Sequence, residues 1–173
     1  MKKYRISKYS PIYRDERGRY LKDDWTSYAD IGKKFNGNQL TLEEYINIER
    51  NYQKIVKRIC EECEATTLVV KELERGFSVE EIKNILIKKE IELSEEDIRF
   101  ITDIKNGYLV SLDNLRKIVS FILKDCFWCK LECPTSKVTI EFGYDLYVYI
   151  TCNEISKQTI QWVEKVGMYI ESI

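Results

Sequence analysis

From Leu42 onward apolar residues recur in steps of three and four: Leu42, Tyr45, Ile48, Tyr52, Ile55, Val56, Ile59, Cys60 and Cys63. That spacing gathers them into one stripe on a helix. Glu43, Arg50, Lys54, Lys57, Arg58 and Glu61 fall on the opposite, solvent-facing side. Thr41 with Glu44 has the form of a capping box, so a main helix is predicted over about 41–65. Three shorter helices follow. Ser78 with Glu81 opens one through Ile82, Ile85 and Leu86. Ser94 with Asp97 opens the next through Ile98, Ile101 and Ile104, ending near Gly107. Ser111 caps a third through Leu115, Ile118, Val119 and Ile122.

After Asp125 the period shortens to two. Phe127, Cys129, Leu131 and Cys133 alternate with Trp128, Lys130 and Glu132, and Pro134-Thr135-Ser136 marks a turn. Val138, Ile140, Phe142, Tyr144, Leu146, Val148, Ile150 and Cys152 then alternate without a break in parity. A plain two-residue hairpin turn flips parity, so two strands require an odd loop, here read as Gly143-Tyr144-Asp145. A last helix is expected over 154–166, stopped by Gly167, with Met168-Tyr169-Ile170 as a closing edge strand. The pattern predicts a single α+β domain over 1–173: a helical cluster, then an antiparallel β-meander with a C-terminal helix and edge strand.

The first forty residues are less regular. Tyr4 and Ile6 alternate with Arg5 into a short strand, Asp15-Glu16-Arg17-Gly18 reads as a turn, and Tyr13, Tyr20, Trp25, Tyr28 and Phe35 follow no period. So many rings call for a partner surface, which makes this stretch an ordered loop.

Charge narrows the functional classes. The net charge is −1, so no global field favours nucleic acid. Locally Lys2, Lys3, Arg5, Lys8, Arg14, Arg17, Arg19 and Lys22 interleave with tyrosines, a composition compatible with stacking on nucleic acid. Asp15, Glu16, Asp23 and Asp24 interrupt them, and the alternative is a solvated edge strand whose lysines block sheet-to-sheet pairing. Lys2 and Lys3 precede no apolar run, and no apolar stretch reaches spanning length, so a cytoplasmic protein with reduced thiols is expected.

Cys60-Glu-Glu-Cys63 and Cys126-Phe-Trp-Cys129 together suggest zinc. Their predicted settings oppose it: one pair falls mid-helix, and the other at a strand, where positions three apart face opposite ways. Buried thiols acting as small hydrophobes are the simpler reading, with no metal and no cofactor. The chain contains no histidine and no glycine-rich phosphate loop, and its paired carboxylates sit in first helical turns, so no catalytic residue is assigned.

What remains is aromatic. Opposite the core side of the meander lie Trp128, Lys130, Glu132, Thr139, Glu141, Tyr147 and Tyr149, with Tyr144 and Asp145 at the loop tip. Either the N-terminal segment covers this face with Trp25 and Tyr28, or the face binds a protein. The candidate partner-binding residues are Trp128, Glu132, Glu141, Tyr144, Asp145, Tyr147 and Tyr149.

The run Tyr13 to Ser27, then Asp30-Ile31-Gly32 and Leu40 to Tyr45, with Phe127 to Leu131 and Phe142 to Ile150, resembles a small family of bacterial proteins similar to immunity proteins. Those neutralise polymorphic or contact-dependent toxins. The resemblance implies a non-catalytic inhibitor that occludes a cognate toxin C-terminal domain, with no membrane, nucleic-acid or small-molecule partner. Asp145, Glu141, Glu132 and Glu154 beside the tyrosines would then suit a basic toxin. A zinc-binding or nucleic-acid-associated regulatory domain is the alternative.

Overall fold

The computed structural model describes all residues, Met1–Ile173. Its centre is a seven-stranded antiparallel sheet in the order β5-β4-β6-β7-β8-β1-β9. The strands are β1 (Lys2–Ser7), β4 (Thr67–Glu74), β5 (Leu109–Ser111), β6 (Trp128–Cys133), β7 (Val138–Phe142), β8 (Val148–Cys152) and β9 (Tyr169–Ser172). A separate two-residue ribbon, β2 (Lys34–Phe35) and β3 (Asn38–Gln39), precedes the main helix. The helices are α1 (Leu42–Glu62), α2 (Val79–Ile87), α3 (Glu95–Asp103), α4 (Leu112–Leu123) and α5 (Lys157–Lys165).

The helices start where local chemistry places them. Thr41, Ser78, Ser94 and Ser111 each accept the amide three residues on, and the first three form complete capping boxes with Glu44, Glu81 and Asp97. Ser156 does the same for α5, which therefore begins slightly later than its pattern suggests. Asn114 and Thr159 lack a carboxylate, so α4 and α5 have only half of the box. Helix α1 ends at Glu62, and Glu64 turns the chain at positive φ, so that the Ala65 amide donates to Cys60 O.

The expected helix-then-meander order holds, but the sheet recruits strands from both ends of the chain. Strands β4 and β5 are interleaved among the helices. Strand β1 is no edge strand: it lies between β8 and β9, and its lysines guard no open edge. Tyr4 and Ile6 face the core, opposite Ile150 and Val148.

On β6, β7 and β8 every second side chain is buried and every intervening one is half-exposed. The buried set joins Tyr52, Ile55, Val56 and Ile59 of α1 and Leu115, Ile118, Val119 and Ile122 of α4 in one continuous core. Two tyrosines on α1 finish that layer with polar ends. Tyr45 Oη donates to Leu123 O at 3.1 Å, and Tyr52 Oη donates to Leu146 O at 2.5 Å, tying the helix to the β7–β8 hairpin.

That hairpin solves the parity problem differently from the loop expected at 143–145. Asp145 and Leu146 both have positive φ, and the Tyr147 amide donates back to Tyr144 O, the pattern of a two-residue type I′ turn. The Gly143 amide donates to Tyr147 O at 2.8 Å, so Gly143 and Tyr144 together oppose one residue. This one-residue bulge restores the parity, and Phe142 and Val148 pair with both side chains inward.

Candidate protein-binding face

Pairing across the strands puts the outward residues in rows. Glu141, Tyr149, Arg5 and Glu171 form one row across β7, β8, β1 and β9, and Glu132, Thr139, Thr151 and Lys3 form another across β6, β7, β8 and β1. Trp128, Glu132, Glu141, Tyr147 and Tyr149 thus share one face, as their alternation predicts. All five are half-exposed.

Neighbouring cations hold the two tyrosine rings. Arg14 Nη1 donates to Tyr147 Oη at 2.9 Å, and the guanidinium carbons of Arg14 and Arg5 lie 5.3 and 5.5 Å from that ring's centre. Lys3 Nζ lies 5.1 Å from the Tyr149 ring centre. Gly143 makes room for Tyr149: a Cβ there would fall 2.8 Å from Tyr149 Cε2. Trp128 Nε1 donates to Phe142 O at 2.6 Å, leaving the indole ring with no unmet polar atom.

The N-terminal segment covers this face only at one corner, and with different rings from those expected. Tyr9 packs on Tyr147 at 5.4 Å and on Tyr20 at 4.9 Å, while Arg14 pairs with Tyr20 across a β-bridge. Trp25 and Tyr28 pass to the helical side instead: Trp25 stacks at 5.9 Å on Tyr45, and Tyr28 is buried in the core cluster.

The acidic character expected of the face is largely cancelled within the molecule. Glu141 pairs with Lys3 at 3.0 Å, Glu132 with Lys130 at 3.1 Å, and Glu154 with Lys2 at 2.6 Å. Of the four acids proposed to attract a basic partner, Asp145 alone has no cation. The same pairings dissolve the basic N-terminal stripe, because Lys8 binds Asp24, Arg5 and Arg14 share Glu171, and Arg19 binds Asp15. A continuous cationic track for a phosphate backbone is therefore missing.

Tyr144 and Asp145 stand apart from the sheet face, at the hairpin tip, with Tyr144 93% exposed. Together with Trp128 they line a cleft of about 600 Å³ at that end of the sheet. Its floor is Ile122, Leu123, Phe142 and Leu146, and its other carboxylates are Glu74 and Asp125. Asp125 is exposed, but partial desolvation against the cleft wall raises its carboxyl above the ordinary value. Sequence reasoning missed Glu74 and Asp125, because their convergence depends on β4 lying beside β6.

The two CxxC pairs do not converge. Cys126 lies near Tyr45 and Tyr28, toward the start of α1, whereas Cys60 is fifteen residues further along that helix, about 22 Å at 1.5 Å per residue. Cys60 and Cys63 instead neighbour Cys133 and Cys152 from β6 and β8. Nowhere do three His, Cys, Asp or Glu side chains come close enough together to hold a metal ion. Burial pushes the thiols of Cys60, Cys126 and Cys129 up to about 12.

No relative was found. Comparison of the chain with protein-family models, with curated proteins and with solved structures gives no match.

Proposed function

We propose that this chain is a non-catalytic protein-binding domain of the immunity type, which neutralises a cognate toxin domain by covering it. The observation that carries the reading is the second face of the sheet, where Trp128, Tyr147 and Tyr149 are half-exposed on or beside β6 and β8. Large rings with few rotatable bonds give much contact area at a small ordering cost. Here that cost is lower still, because Arg14, Arg5, Lys3 and Gly143 already fix the two tyrosine rings. The charges around them are paired, so the rim offers matched hydrogen-bonding groups rather than one-signed attraction.

The test is co-purification with the C-terminal domain of a secreted protein encoded beside this gene, followed by titration of the pair. Tyr149→Ala is expected to weaken the complex by about 2 kcal/mol, roughly 30-fold, at unchanged secondary structure. An unaltered affinity in both Tyr149→Ala and Trp128→Ala would remove the sheet face from the interface.

A further inference from the structure

The cleft at the hairpin end has three carboxylates and an apolar floor, and no lysine or arginine lines it. Glu74, Asp125 and Asp145 make no ion pair, unlike the acids of the sheet face. The cations next to them in sequence are committed elsewhere. Arg75 Nη2 donates to Ile101 O at 2.9 Å and Ile104 O at 2.6 Å, closing the end of α3, while Lys124 Nζ donates to the buried Glu49 carboxylate at 2.7 Å. The cleft is thus an apolar-floored groove whose charge the chain itself leaves uncompensated.

We propose that this cleft receives a short arginine-bearing segment of the partner protein. The volume, about 600 Å³, exceeds that of one side chain and falls in the range of sites that enclose a ligand. An arginine stem would lie over Leu123, Phe142 and Leu146, with its guanidinium plane against Trp128 and its N–H groups toward Asp125 and Asp145. The three carboxylates do not form a cluster that could hold a metal ion. An extended organic cation with an apolar stem suits them. Trp128 belongs to both the cleft and the sheet face, so one partner can fill the groove while resting on the rings.

This inference rests on the protein-binding reading, and its test keeps the two apart. An acetylated, amidated Gly-Arg-Gly-Arg-Gly peptide is titrated into the isotope-labelled full chain at low salt while amide and indole shifts are followed. Saturable, salt-sensitive shifts at Trp128 Nε1, Gly143 and Tyr144 are expected. Citrulline in place of both arginines, or the double substitution Asp125→Asn/Asp145→Asn, should weaken binding at least tenfold. Shifts that are absent, spread over the acidic helix starts, or indifferent to the double substitution overturn the cleft proposal. A chain that then still binds its toxin domain through Trp128 and Tyr149 retains the sheet-face reading, whereas peptide bound in the cleft with no protein partner retains only the cleft.

Discussion

Glu49 is a carboxylate with 5% of its side chain exposed, wedged between α1 and α4. Its Oε1 accepts hydrogen bonds from Lys124, Ser120 and Gln53, which match the charge at that oxygen, while the buried Oε2 has no partner. Lys124→Met leaves that charge alone and is expected to cost about 3 kcal/mol in urea unfolding, whereas adding Glu49→Leu should restore most of the loss. Asp125 poses the opposite case. Its carboxyl is raised by partial desolvation although the residue is exposed, so the ionised form carries a small, solvent-screened penalty at neutral pH that is absent once pH falls below the unfolded carboxylate value. Asp125→Asn should therefore raise the thermal midpoint at pH 7 only slightly, and the gain should vanish below about pH 4. The thiols give a third check. Cys63 is the one cysteine that is not buried, and the Cys152 thiol beside it holds it below the ordinary value. One fast-reacting thiol is expected in the native protein, and six after denaturation. Two fast thiols from the Cys126-Phe-Trp-Cys129 segment would contradict the packing.

At the scale of elements, what depended on neighbours a few residues away was legible, and what depended on distant ones was not. The capped helix starts at Thr41, Ser78 and Ser94 could be read because a hydroxyl and a carboxylate three positions on suffice to stop a helix fraying, and the start at Ser111 could be read from its hydroxyl alone. The same boxes carry an acid sensitivity. Backbone hydrogen bonds from Thr41 and Ser78 hold Glu44 and Glu81 below the ordinary value, so their contribution is present above the unfolded carboxylate range and is lost as pH falls through the folded one. Helicity is expected to decline on acidification below about pH 4, less steeply in a Glu44→Gln/Glu81→Gln variant. Strand β4 was hidden because only Leu68 and Val70 show its period before a bulge at Glu72, too short a run to read as a strand. The sheet face was legible from strict alternation, although the pairing that neutralises Glu132 and Glu141 was not. Those partners, Lys130 apart, come from β1, and no local pattern announces which strand lies next to β8.

For the whole molecule, the position of β1 fixes the order of assembly. It is the first strand of the chain, yet its neighbours, Val148–Cys152 and Tyr169–Ser172, belong to the last quarter. During synthesis the segment bearing Lys3, Arg5 and Arg14 emerges long before the tyrosines it must steady. Until Tyr169–Ser172 leave the ribosome, one flank of β1 has unpaired backbone groups and invites pairing with other chains. A chaperone-free translation series is expected to yield protease resistance only once Tyr169–Ser172 have been released, and a chain cut before Tyr169 should aggregate. The outward face of the sheet is therefore complete only once Tyr169–Ser172 have been made, and a nascent chain shows its rings before the strand that steadies them is locked between two neighbours.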